Sequence, residues 1–231
     1  IGIAKGSGMI APNMGTMLAY IFTDLNVSSK VLQKILTNEN DKTFNSITVD
    51  SDTSTSDTCL LISTNQLKNK KINNFHDKFL NDFKKCISNI MLDLAKQIVI
   101  DGEGAKKIIE VRVEHAKSIS SAKNIAFSIA NSPLVKTAIA GEDANWGRIV
   151  MAIGKSYEPI DQNKIKIKFG KYLVTKNGMR YSKYSEKNLS EYLKNKEISI
   201  SIDIGMGNHK WTVYTCDLTE QYIRINADYR S

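Results

Sequence analysis

Apolar positions along the chain change their spacing several times, and each change predicts an element. The short block Met17 to Phe22 follows the loop-forming stretch Lys5 to Asn13 directly, so it reads as a buried strand fed by a loop. Val31, Leu32, Ile35 and Leu36 have the i, i+1, i+4, i+5 spacing of an amphipathic stripe, which predicts a helix capped by Ser28. Strands are expected at Ser46 to Asp50 and at Cys59 to Ser63, with a polar loop between them. Phe75, Phe79, Phe83, Ile87, Ile90, Leu94 and Ile98 recur every three or four residues. They predict a long helix from about Asn74 to Ile100 with that stripe in the core. The turn cluster Asp101-Gly102-Glu103-Gly104 ends it, ahead of a β-rich segment at Ile108 to Val113. A helix over Ser121 to Ala130 follows, with Pro133 just past its end.

From Ile165 onward the period is two. KIKIKF, YLVT with a Lys176-Asn177-Gly178 turn, ISISIDI and WTVYTC read as strands, so the last third is expected to be largely antiparallel sheet in a mixed α/β chain. The polar segment Asn65 to Asn74 reads as an exposed linker, and there is no internal repeat.

Composition adds bounds. With 231 residues and 42% apolar content the chain can bury a core for one large domain or two lobes, which excludes a disordered chain. The net charge of +8 comes from scattered lysines. That is the signature of a solvated basic surface rather than of a nucleic-acid-binding stripe, and its positive field favours small anions. Cys59, Cys86 and Cys216 are odd in number and far apart, so neither a zinc cluster nor a disulfide framework is indicated and a reducing compartment fits. No apolar run approaches the ~20 residues of a bilayer span, and the mature chain is expected to be soluble, without membrane association. Because Ile1 opens inside a glycine-rich loop, upstream sequence is expected to be missing.

Several motifs fail on inspection. Gly154-Lys155-Ser156 lacks the first glycine of a phosphate-binding loop, that position being Ile149. Gly205-Met206-Gly207 lacks the third glycine of a dinucleotide fingerprint, Lys210 standing there, and reads as a turn between strands. Asp50 to Asp57 has carboxylates at calcium-loop spacing, but Thr55 replaces the required glycine and Leu61 the bidentate glutamate. Gly6-Ser7-Gly8 lacks the leading glycine of a nucleophile elbow. His76, His115 and His209 have neither ligand nor triad spacing and read as surface or packing residues.

What remains is a set of five segments: Ala4 to Leu18 (AKGSGMIAPNMGTML), Ile47 to Thr58 (ITVDSDTSTSDT), Asp101 to Ala105 (DGEGA), Gly141 to Arg148 (GEDANWGR) and Ile225 to Ser231 (INADYRS). In this order, across nearly the whole chain, they resemble the signatures of the ornithine acetyltransferase (glutamate N-acetyltransferase) family. The resemblance implies a precursor that breaks before a threonine, here at Gly15–Thr16, giving an α chain and a β chain that starts with the nucleophile. Threonine suits that chemistry: its hydroxyl attacks the preceding carbonyl. The released α-amine, whose ordinary pKa is about 7.7 to 8.0, then serves as general base beside Oγ. Gly15 stands where the family usually has Ala, and Ser51 where it usually has Gly.

The resemblance further implies Thr16 as the catalytic residue and Lys5, Thr16, Glu103, Asn226 and Ser231 as substrate contacts. Lys5 would meet a carboxylate of glutamate or of N2-acetylornithine, and Glu103 the ammonium of the amino acid. Asn226 and Ser231 would bring amide and hydroxyl hydrogen bonds. Asp50, Asp52 and Asp57 are read as side-chain caps of their loop. Arg148 is read either as a structural anchor or as a substrate contact. The family's oxyanion donors, a Thr-Gly pair, would lie upstream of Ile1.

The expected fold is a mixed α/β sandwich of the self-cleaving N-terminal-threonine acyltransferase type, with a smaller C-terminal α+β lobe. Residues 1–15 would end the α chain, residues 16–130 would form the nucleophile-bearing part, and residues 131–231 the lobe. The implied activity is acetyl transfer from N2-acetylornithine to glutamate in arginine biosynthesis. No metal or organic cofactor is implied, and acetyl-CoA is left open as a second donor. The expected partner is the upstream α chain in a heterotetramer or larger assembly, in the cytoplasm, or in the mitochondrial matrix of a eukaryote. Two other readings stand beside it: an aminopeptidase or amidohydrolase of related architecture, in which water is the acceptor, and a basic nucleic-acid-binding protein.

Overall fold

A computed structural model describes residues 1–11 and 17–228. The chain divides into two compact units, Ile1–Asp101 and Gly102–Ser231.

The first unit contains β1 (Gly2–Lys5), β2 (Leu18–Thr23), α1 (Ser29–Lys42), β3 (Ile47–Thr48), β4 (Thr58–Ser63) and α2 (Leu80–Ile100). Its sheet has the order β1-β2-β4. β1 runs antiparallel to β2, with Lys5 opposite Leu18, and β2 runs parallel to β4, with Leu18 opposite Thr58. A parallel pair needs a crossover, and α1 lies within it. α1 buries Val31, Leu32 and Ile35, with Ser28 at its N-cap, although no side-chain bond makes that cap. α2 lies directly on β1, since a Cβ at Gly2 would sit 2.8 Å from both Ile90 and Leu94.

α2 starts later than its periodicity predicts. Leu80, Ile87, Met91, Leu94 and Ile98 are core, whereas Phe75 and Phe79 precede the helix and Phe79 is 59% exposed. The reason is local competition. The Asn74 and Asp77 side chains accept from the amides of His76 and Phe79, at 3.0 and 2.9 Å, and fold the backbone into turns. Phe75 instead carries the ammonium groups of Lys84 and Lys34, 3.9 and 4.6 Å from its ring centre. The strand expected at Ser46 to Asp50 is only Ile47–Thr48, preceded by a 3-10 turn at Phe44–Ser46. The segment Asn65 to Asn74 is largely exposed but tied down. Asn69 exchanges hydrogen bonds with Asn26, Asn65 accepts from Val27, and Ile72 pairs with Val27.

The second unit contains β5 (Ile108–Ala116), α3 (Ile119–Ala130), α4 (Pro133–Ala140), α5 (Trp146–Gly154), β6 (Lys166–Phe169), β7 (Tyr172–Lys176) and β8 (Met179–Arg180). α6 (Glu186–Leu193), β9 (Glu197–Asp203), β10 (His209–Cys216) and α7 (Glu220–Ala227) follow. Its strands run in the order β10-β5-β9-β6-β7-β8. All neighbours are antiparallel except β5 and β9. Ile109, Val111 and Val113 alternate inward on β5, as do Ile198, Ile200 and Ile202 on β9, and they share one core with Ala122, Ile125 and Ile129 of α3. A lobe boundary at 130/131 would cut through that core. Pro133 does not trail α3; it starts α4, where its missing N–H costs nothing.

Candidate active site

In the first unit, β1 delivers Lys5 to the mouth of the glycine-rich loop, and the rest of the loop is clamped at several points. Ser7 Oγ donates to the carbonyl of Asp101 at 2.7 Å. The Asp50 carboxylate accepts from the amides of Met9 at 2.7 Å and Ile10 at 3.0 Å, and from its own loop at Asp52. Val49 N donates to Ile10 O, Thr53 Oγ1 donates to Ala11 O, and Ile10 is fully buried. On the far side of residues 12–16, Met17 N donates to Asp57 Oδ1 and Thr58 N donates to Met17 O at 2.9 Å. Both flanks of the expected scissile bond are therefore pinned by one loop, residues 50–57. Gly15 and Thr16 themselves lie outside the described residues, as does Ser231.

Lys5 is exposed and makes no ion pair with a described residue. It borders a cleft of about 470 Å³ together with Gly6 and Ser7, opposite Leu94, Gln97 and Asp101 at the end of α2. Burial pushes the Asp57 carboxyl above the usual range, only partly offset by the hydrogen bond from Met17. Burial also raises the Cys59 thiol on β4 to about 11, so it is not a nucleophile near neutral pH.

In the second unit, Asn226 Nδ2 donates to Glu103 Oε2 at 2.8 Å, so two of the residues singled out in the sequence meet across 123 positions. Gly104 makes this approach feasible. Its φ is +71°, and a Cβ there would lie 2.5 Å from Tyr222 N on α7. Thr219, the N-cap of α7, donates to Gly104 O at 2.7 Å. A cleft of about 670 Å³ opens here, bordered by Ala105, Lys106, Gly141, Thr219 and Arg224. The GEDANWGR segment builds structure: Asn145 caps α5, and Arg148 donates to Leu134 O at 2.8 Å and Thr137 Oγ1 at 3.3 Å, tying α5 to α4. Arg148 is thus an anchor.

Two features are not visible in the chain. Asp57, expected to cap its own loop, reaches across to Met17. His115, expected to be a surface or packing residue, pairs with Asp203 at 3.0 Å, which also holds Lys166 at 3.1 Å. The partners lie 88 positions apart, and no spacing rule reaches that far. Burial would raise the Asp203 carboxyl, yet Lys166 and His115 together hold it below the usual carboxylate range. Among the described residues no His, Cys, Asp and Glu group could hold a metal ion, and no helix is long and apolar enough to cross a membrane.

A solved chain titled arginine biosynthesis bifunctional protein argJ, from Bacillus halodurans, aligns with a TM-score of 0.89 at 40% identity. It covers 93% of this chain and 100% of that one. The two share one mixed α/β fold. The ArgJ family model matches residues 1–231. Proteins named arginine biosynthesis bifunctional protein ArgJ from Brucella suis and Zymomonas mobilis are 53% and 55% identical over 100% of this chain. The chain therefore belongs to the ArgJ family, and it spans 56% of the length of these relatives.

Proposed function

We propose that this chain, as part of a longer protein, transfers the acetyl group of N2-acetylornithine to glutamate through Thr16. After cleavage at Gly15–Thr16, Thr16 Oγ attacks the acetyl carbonyl and its proton passes to the α-amine of the same residue. The amide C–N bond then breaks and ornithine leaves with that proton. The glutamate amine next attacks the acetyl ester and gives a proton to the Thr16 α-amine, the C–O bond breaks, and Oγ takes that proton from the α-amine. Oxyanion donors supplied by the rest of the protein would stabilise each tetrahedral intermediate, by about 10²–10³ per donor. Lys5 recognises a substrate carboxylate, Glu103 the amino-acid ammonium, and Asn226 orients Glu103, with Ser231 as a further contact.

The observation that carries this reading is the pinning of both flanks of residues 12–16 by the 50–57 loop. A backbone held at both ends is what an intramolecular attack on its own carbonyl requires. The names of the relatives place them in arginine biosynthesis. The reaction needs no cofactor, acetyl-CoA remains open as a second donor, and the assembly is read as α and β chains in a heterotetramer or larger, in a soluble compartment.

Intact mass spectrometry of the full-length protein after incubation with N2-acetylornithine tests the reading. The expected result is a chain starting at Thr16 carrying one acetyl group, absent from Thr16→Ala. Acetyl transfer by a folded Thr16→Ala protein at the wild-type rate would refute it. Ornithine release at an undiminished rate without glutamate would favour a hydrolase instead.

A further inference from the structure

Asp57 ends the 50–57 loop and immediately precedes β4. Its Oδ1 accepts from Met17 N, while the next residue, Thr58, donates to Met17 O, so the peptide units on both sides of Met17 are fixed by Asp57 and Thr58. Its other oxygen, Oδ2, is buried and has no hydrogen-bond partner among the described residues. Buried carboxylate oxygens are ordinarily satisfied. The carboxylate at the other end of the same loop, Asp50, accepts from three amides. Building the loop thus accounts for Asp50 but leaves half of Asp57 unexplained.

Covalent geometry says what lies nearby. Met17 N is bonded to the carbonyl carbon of Thr16, so the α-nitrogen of Thr16 is within about 4 Å of Met17 N in any conformation. Oδ1 is hydrogen-bonded to that same Met17 N. The Thr16 α-nitrogen is thus the backbone nitrogen next along the chain from the one that Oδ1 holds. While the Gly15–Thr16 peptide is intact that nitrogen is a neutral amide; after cleavage it is a primary amine that can carry charge.

We propose that Asp57 is a positioning residue for the nucleophile. Once Gly15–Thr16 is broken, the free Oδ2 accepts a hydrogen bond from the Thr16 α-amine and holds it beside Thr16 Oγ. This rests on Thr16 being the nucleophile and deepens that reading. In the first half-reaction the amine takes the Thr16 hydroxyl proton, in the second it takes a proton from the attacking glutamate amine, and each time the carboxylate stabilises the ammonium that forms. The raised pKa of Asp57 fits, because burial outweighs the single bond from Met17 and no described cation acts on it. The other charges of the neighbouring segments are Lys5 on β1 and the loop residues Asp50 and Asp52, and none enters its titration.

A carboxylate partner stabilises the charged amine, so the α-amine pKa should stand above the ordinary value of about 8. Removing the charge should lower it. In the full-length, self-cleaved protein, Asp57→Asn should move the acid limb of the kcat/KM profile to lower pH by about half a unit or more. It should also lower kcat about tenfold or more, with KM for glutamate within about threefold, and Asp57→Glu should restore the limb. A merely structural role would leave the limb in place, and an unmoved limb in active Asp57→Asn overturns the proposal.

Should Asp57→Asn fail to fold or cleave, the wild type decides. Trace labelling of the N-terminal threonine amine with fluorodinitrobenzene across pH should give a pKa above 8; a value of 8 or lower overturns the proposal. The two readings fail separately. Normal acetylation of Thr16 with an unshifted amine sinks only the role of Asp57. A raised amine pKa with no acetyl adduct in the wild type sinks the nucleophile.

Discussion

Replacing Gly104 by alanine should detach α7 while leaving the rest of the second unit folded. Gly104 has φ +71°, a conformation that costs an alanine about 1 kcal/mol. The added Cβ would also lie 2.5 Å from Tyr222 N and 2.9 Å from Gln221 C. Both are backbone atoms, so no side chain can turn aside and α7 as a whole has to move by nearly 1 Å to reach ordinary contact. α7 has little to resist with, because none of its residues is buried. Its ties to the DGEGA segment are the Thr219 bond to Gly104 O and the Asn226 bond to Glu103, together worth about 1–3 kcal/mol. The combined penalty is about 2–4 kcal/mol, and it falls on α7 first because local opening is the cheapest way to relieve the clash. Amide exchange over residues 221–228 should then accelerate by about 30-fold or more, since each 1.4 kcal/mol is a factor of ten, with the β5 and β9 amides little changed. On the proposed role of Glu103 as the contact to the amino-acid ammonium, KM for glutamate in the full-length protein should rise as well, because Glu103 loses its hydrogen bond from Asn226. Unchanged exchange across α7 in Gly104→Ala would refute the argument that this glycine is what lets the helix approach.

Ser51 has φ +68°, so Ser51→Gly should stabilise the protein by about 0.5–1 kcal/mol, raising Tm by about 2 °C, because its backbone N–H to Thr48 Oγ1 survives the change. A fall in Tm would show that the serine side chain itself supports the loop. Asp203 has its folded pKa lowered, so its contribution to stability is complete above the unfolded value of about 3.9 and is lost as pH falls through the folded one. Asp203→Asn should therefore lose less stability than the parent between pH 6 and pH 3 in denaturant titrations; an equal loss would mean that Lys166 and His115 do not act through this carboxylate.

The elements legible in the chain are those with a long run of one period. β9 alternates throughout and β5 as far as Glu114, and the C-terminal part of α2 keeps its stripe for several turns, so pattern and structure agree there. They part where side chains compete with the backbone ladder. Asn74 and Asp77 take amides that a helix would have used, which is why the aromatic residues ahead of Leu80 follow helical spacing without being helical. Pro133 fits the sequence pattern as the end of α3 but starts α4, a position where proline is equally at home. α4, α6 and α7 are too short for apolar spacing to separate them from loops.

The acidic loop, residues 50–57, is where sequence and structure inform each other most. Its carboxylates have the spacing of a calcium site, and spacing alone cannot say whether they face a cation or backbone amides. The structure decides by occupancy: Asp50 accepts from the amides of Met9, Ile10 and Asp52, and Asp57 from that of Met17. Amide donors supply only partial positive charge, so such a loop shapes backbone without fixing an ion. The clamp sets the path of the chain into and out of residues 12–16 through two carboxylates seven positions apart on one loop, and this is the restraint that the proposed cleavage at Gly15–Thr16 would draw on.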